Sequence, residues 1–161
     1  MRSKLLLILL ATTAFAQSEG RSFGYAFAAT VFVPKNGFTR WNARFLQGGL
    51  GGEIAIKKRA SVGGEVGALV APFNRFAAKA TTGTVGGSFH PLGSAQKLAP
   101  FLSGGAGVLA ANGTGGIIYF GGGLNYWPYK HIGFRTEYRH YYYPVDGGIT
   151  FAGVRLGITF H

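Results

Sequence analysis

The chain has 161 residues, enough for one domain, with 16 Lys+Arg against 5 Asp+Glu. Its 28 Gly, 47% apolar and 13% charged residues, with six Pro and no G-X-Y period, exclude collagen and disorder and favour closely packed strands. It has no Cys, which excludes disulfides, thiolate nucleophiles, Cys metal sites and a lipidated N-terminal cysteine.

Residues 1–16 read as a cleaved signal peptide. Arg2 and Lys4 give a positive start, Leu5 to Leu10 a short apolar core, and Ala14-Phe15-Ala16 an A-x-A cleavage site. The apolar run is too short to cross a membrane core of ~30 Å as a helix. The expected mature chain, 17–161, carries 14 Lys+Arg against 5 Asp+Glu, a formal +9. No nucleic-acid motif accompanies this charge, so the expected partners of an exported chain are anionic lipid headgroups or lipopolysaccharide.

From there the pattern has period 2 in runs of roughly ten residues, as barrel strands have. Helical periodicity is absent, and Gly recurs too often for a stable helix. Eight runs follow in order. The first, 22–33, puts Phe23, Tyr25, Phe27, Ala29, Val31 and Val33 on one face and Gly24, Ala26, Ala28 and Thr30 on the other. The second, 44–57, sets Leu46, Leu50, Ile54 and Ile56 against Gln47, Gly49, Gly51 and Glu53. The third, 61–71, sets Val62, Val66, Ala68 and Val70 against Gly63, Glu65 and Gly67. The fourth, 79–90, is weakly patterned, with Val85 and Phe89 opposite Thr82, Thr84, Ser88 and His90. The fifth, 101–110, carries Leu102, Ala106 and Val108 on one side, with Pro100 bracketing the connection before it. The sixth, 117–127, sets Ile118, Phe120, Leu124 and Tyr126 against Tyr119, Gly121, Gly123 and Asn125. The seventh, 132–143, alternates Arg135, Glu137 and Arg139 with Phe134, Thr136, Tyr138 and His140. The eighth, 149–160, sets Ala152, Val154, Leu156, Ile158 and Phe160 against Phe151, Gly153, Arg155 and Gly157.

Short connections make sequence neighbours antiparallel, and an eight-stranded meander closes as a barrel that removes both edges. The fold expected is therefore all-β: an eight-stranded antiparallel up-and-down transmembrane β-barrel behind a signal peptide.

The charges select the side that faces lipid. Glu53, Glu65 and Glu137 fall opposite the large apolar side chains, as do Arg135, Arg139 and Arg155. Glycines accompany them, leaving room for long side chains in a narrow bore. A buried charge must be paired, so these six are expected to form a lumenal ion network. The bulky faces, including the aromatic face of the first run, are expected to meet lipid. Phe23, Tyr25, Tyr126, Trp127, Tyr129, Tyr141 and Tyr142 lie near strand ends and read as interfacial aromatic girdles.

"FGGGLNYWPYKHIGFRTEYRHYYY" followed by "ITFAGVRLGITF" resembles the last three strands of the small OmpA/OmpX-like bacterial outer-membrane barrels. The pattern covers the mature chain; the last forty or so residues are its specific part. The resemblance implies periplasmic termini, a bacterial outer-membrane location, and recognition by the outer-membrane insertion machinery. Val154, Leu156, Ile158 and Phe160 look like the family's C-terminal assembly signal, although His161 follows the aromatic that usually ends the chain. A single barrel domain over 17–161 is expected, without the peptidoglycan-binding domain of the two-domain members.

No catalytic, cofactor or metal site is expected. Acids and histidines are isolated in sequence. The His-x-Ser pair of lipid A deacylase barrels would need Ser at 142, where Tyr142 stands. Ser88 and His90 share a face but lack an assignable acid. Gly105 to Ala110 matches G-x-G-x-x-A without a following helix. The function expected is a non-enzymatic envelope barrel or a very narrow pore. A soluble lipocalin-like carrier and a lipid-modifying barrel enzyme are the alternatives.

Overall fold

The computed structural model describes residues 20–34, 43–71, 79–111, 113–144 and 148–161. The expected signal peptide, Glu19, Asn112, Asp146 and most of two longer connections lie outside them.

The strands are β1 (Phe23–Val33), β2 (Ala43–Lys57), β3 (Ala60–Val70), β4 (Lys79–Phe89), β5 (Leu98–Ala110), β6 (Thr114–Tyr126), β7 (Ile132–Tyr143) and β8 (Ile149–Phe160). Each pairs antiparallel with its sequence neighbours, and β8 returns to β1 to close the barrel. No sheet edge is left open, so the ladder hydrogen bonds are satisfied within the wall.

Two strands begin three residues earlier than the pattern suggests. β5 starts at Leu98 and runs through Pro100, which pairs with Leu124 of β6. The β4 ladder ends opposite Leu102. Pro100 therefore sits beyond β4, where a missing N–H is tolerated. β6 starts at Thr114 because Gly115 and Gly116 zip onto Leu109 and Val108 instead of forming a turn.

One face of each strand looks outward. Leu50, Val66, Val85, Leu102, Phe120 and Leu156 are each at least 60% exposed. The opposite face fills the bore. Fourteen polar or charged residues are buried, among them every described acid.

β1 departs from the expectation. Its aromatic face points into the bore: Phe23, Tyr25, Phe27, Ala29 and Val31 are buried. The register gives the reason. Tyr25 lies opposite Gly51 and Phe27 opposite Gly49, two glycines on the lumenal face of β2. The rings fill the space those glycines leave. The small face, with Gly24, Ala26 and Ala28, looks outward.

Candidate functional site: the filled bore

Three carboxylates and three guanidiniums meet at the middle of the barrel. Glu53 accepts from Arg135 Nη1 at 2.9 Å. Glu137 lies 3.4 Å from Arg135 Nε, 2.9 Å from Arg139 Nη2 and 3.3 Å from Arg155 Nη1. Glu65 closes the set, 2.7 Å from Arg139 Nη1 and 2.9 Å from Arg155 Nη2. The six expected lumenal residues thus lie in one continuous network, drawn from β2, β3, β7 and β8. Equal numbers of each sign leave it neutral. That balance suits a low-dielectric tube, where a single unpaired charge costs several kcal/mol (about 3–5 when one partner is removed).

Residues not anticipated complete it. Ser61 and Ser88 donate to Glu53 at 2.6 and 3.1 Å, Ser103 donates to Glu137 at 2.8 Å, and the Tyr25 hydroxyl donates to Glu65 at 3.0 Å. The arginines also lie over aromatic rings: Arg135 over Phe101 at 3.9 Å, Arg139 over Tyr119 at 4.2 Å and Arg155 over Phe27 at 3.8 Å. An aromatic face attracts a desolvated guanidinium, so these rings hold cations as well as filling volume.

Little space is left. A gap bordered by Glu53, Glu65, Arg135 and Arg139 measures about 10 Å³, and one between Glu137 and Arg155 about 0 Å³. A single water needs roughly 10–15 Å³. Toward the loop end, Val31, Leu69, Ile117, Tyr141 and Phe151 form an apolar plug, with the Tyr141 and Phe151 rings stacked at 4.8 Å. Beyond it lies a cavity of about 260 Å³, walled by Val33, Phe45, Leu109 and Ile149 with Lys79 at its margin. Toward the turn end, Phe23 packs edge-on against Trp127, and Arg21 lies 4.4 Å over the Trp127 ring.

Three comparisons with known proteins bear on this architecture. No protein-family model and no curated protein matches the chain. Among solved structures, neisserial surface protein A is similar at a TM-score of 0.72 and 12% identity, over 86% of this chain and 96% of that one. Ail, the attachment invasion locus protein of Yersinia pestis, gives 0.54 and 18%, over 88% and 98%. The outer membrane protein OprG of Pseudomonas aeruginosa gives 0.56 and 13%, over 89% and 98%. The fold is that of a small outer-membrane β-barrel.

In an outer-membrane barrel fold, the outer wall is the lipid face and its ends are the interfaces. Tyr126 and Tyr142 are exposed on the outer wall near strand ends, as girdle residues are, and Tyr129 is exposed on the β6–β7 turn. Phe23, Tyr25, Trp127 and Tyr141 are not: all four point inward and are at most 5% exposed. The girdle assignment is corrected for these four. Strand parity decides it, because Tyr141 follows Arg139 on the inner face of β7, and Trp127 follows Asn125 from β6. Val154, Leu156, Ile158 and Phe160 all face outward, between 50% and 61% exposed. The Phe160 ring lies against Gly24 across the β1–β8 seam, where a Cβ would collide with it.

Among the described residues, Ser88 and His90 are not joined as a nucleophile and its base. His90 is fully buried, its Nε2 3.3 Å from Ser61 Oγ and 3.6 Å from Glu53. Ser61 and Ser88 both give their protons to Glu53, so neither is activated by the imidazole. Among the described residues no group of three His, Asp or Glu side chains could hold a metal.

Proposed function

We propose that the protein is a non-enzymatic integral protein of the bacterial outer membrane, exported through its N-terminal segment, with a closed bore and a structural role in the envelope. The observation that carries this reading is the filled lumen: three carboxylates, three guanidiniums and the rings beneath them leave gaps of about 10 Å³ or less. A solute path would need the network to open, at the cost of separating buried charges. The outward apolar wall supports a lipid environment. The same arrangement argues against a lipocalin-like carrier, whose apolar face points inward at its ligand. It also argues against a lipid-modifying enzyme, since the buried His90 faces Ser61, whose proton is committed to Glu53.

The test is electrical. The refolded mature chain, inserted in planar bilayers, is expected to give no stepwise conductance. Stable single-channel steps in the intact protein, enlarged by Arg139→Ala, would assign it a pore instead.

A further inference from the structure

The barrel end that bears the short turns also bears a collar of basic side chains. Arg21 leads into β1. Lys57, Lys58 and Arg59 lie at the β2–β3 turn, Lys97 ends the β4–β5 connection, and Lys130 lies between β6 and β7, followed by His131; His161 ends the chain beside them. All but Arg21 are exposed. The described acids, Glu53, Glu65 and Glu137, are all buried in the bore rather than placed at this surface. At the loop end the described basic residues are Arg44 and Lys79, while Lys35, Arg40 and Arg75 of the sequence fall in connections outside the described residues.

The collar is held in place. His90 N–H donates to the Arg59 carbonyl at 2.8 Å, and Ser94 N–H to that of Lys58 at 3.0 Å. Trp127 N–H donates to the Lys97 carbonyl at 2.8 Å, and His161 N–H to that of His131 at 3.0 Å. Neighbouring turns are therefore stitched together through their backbones, which sets the points from which the basic side chains leave the rim. Large apolar side chains sit among them: Leu92 is 59% and Tyr129 71% exposed, on the turns themselves rather than the barrel wall. Cations alone would fit any polyanion. Cations interleaved with apolar tips fit the boundary between headgroups and acyl chains.

We propose that this rim binds anionic phospholipid headgroups in the leaflet that receives the turn end. The lysine and arginine side chains meet phosphate, while Leu92 and Tyr129 anchor below it. The inference rests on the membrane reading above and adds a lipid preference to it.

The test uses the mature chain in phosphatidylcholine vesicles containing spin-labelled phosphatidylglycerol or spin-labelled phosphatidylcholine. Phosphatidylglycerol is expected to be held about fivefold more strongly, roughly the attraction of one basic residue per bound lipid. The preference should disappear in a variant carrying Lys57→Gln, Arg59→Gln, Lys97→Gln and Lys130→Gln. It should persist in Arg44→Gln with Lys79→Gln. High salt should abolish it in the unaltered protein, which tests the idea without any variant having to fold. Equal retention of both lipids, a preference indifferent to salt, or one unchanged in the fourfold variant would overturn it. So would displacement of the lipid by soluble polyglutamate, which would make an acidic polymer the partner. A chain that inserts in both vesicles without preference refutes this inference alone; one that inserts in neither refutes the membrane reading too.

Discussion

Glu137 is the carboxylate on which the bore converges: it faces Arg135, Arg139 and Arg155 and accepts a further bond from Ser103. Removing it would leave three guanidiniums with two acids inside the tube. Breaking a buried ion network from one side typically costs about 3–5 kcal/mol, because the remaining charge stays desolvated. Glu137→Ala is expected to lower unfolding stability by about that amount, measured by urea titration of the micelle-folded barrel. A loss under about 1 kcal/mol would mean that water reaches the network and screens it. Space is as tightly specified as charge. A methyl at Gly105 would meet the Val85 carbonyl, Gly86 Cα at 2.7 Å and the Tyr119 ring at 2.9 Å. At Gly104, on the outer face, the nearest atom is the Tyr119 carbonyl oxygen at 3.5 Å. Gly105→Ala should therefore cost about 1–3 kcal/mol by overpacking. Gly104→Ala should stay within about 0.5 kcal/mol in the same titration.

At the scale of the strand, β7 and β1 explain what could be read from sequence and what could not. In β7, charge alternates with aromatic and β-branched residues, and charge can only be inside; period 2 then places every other side chain. The lumenal network was legible for that reason. In β1 both faces are uncharged, so alternation distinguishes large from small but not in from out. The decision depends on β2, whose lumenal Gly49 and Gly51 leave room for Phe27 and Tyr25, and that pairing is a matter of register across a turn. Glycine was an incomplete guide, because it also lies on the outer wall at Gly48, Gly52, Gly64 and Gly104. There an added Cβ would meet nothing nearer than about 3.4 Å. Serine partners such as Ser61 and Ser103 carried no signal of their own; only their position opposite a carboxylate marks them. The inverted face of β1 can be checked directly. A fluorophore on Ala28→Cys should be quenched by brominated lipid. Phe27→Cys should resist labelling in the folded barrel. Quenching of both, or of Phe27→Cys alone, would return the aromatic face to the lipid side.

At the scale of the whole molecule, the barrel is inside out relative to a soluble protein. Ions fill its centre, and Leu50, Val66, Val85, Leu102 and Leu156 are each at least 60% exposed on its wall. A monomeric soluble protein rarely shows contiguous apolar patches above a few hundred Å². This wall encircles the molecule, since every strand contributes to it and the sheet has no edge. Water cannot be its solvent without aggregation, whereas hydrocarbon removes the penalty. Closure has a second consequence. Each strand is hydrogen-bonded on both sides, with β8 completing β1, so no strand can leave without opening two ladders. Unfolding should be cooperative and slow, and the folded barrel should survive sodium dodecyl sulfate at room temperature. The refolded mature chain is therefore expected to require detergent, to run ahead of its denatured form on an unheated gel, and to shift to the denatured position on boiling. A mature chain that remains monomeric without detergent, with one mobility heated or unheated, would show that the apolar wall has some other cover than lipid.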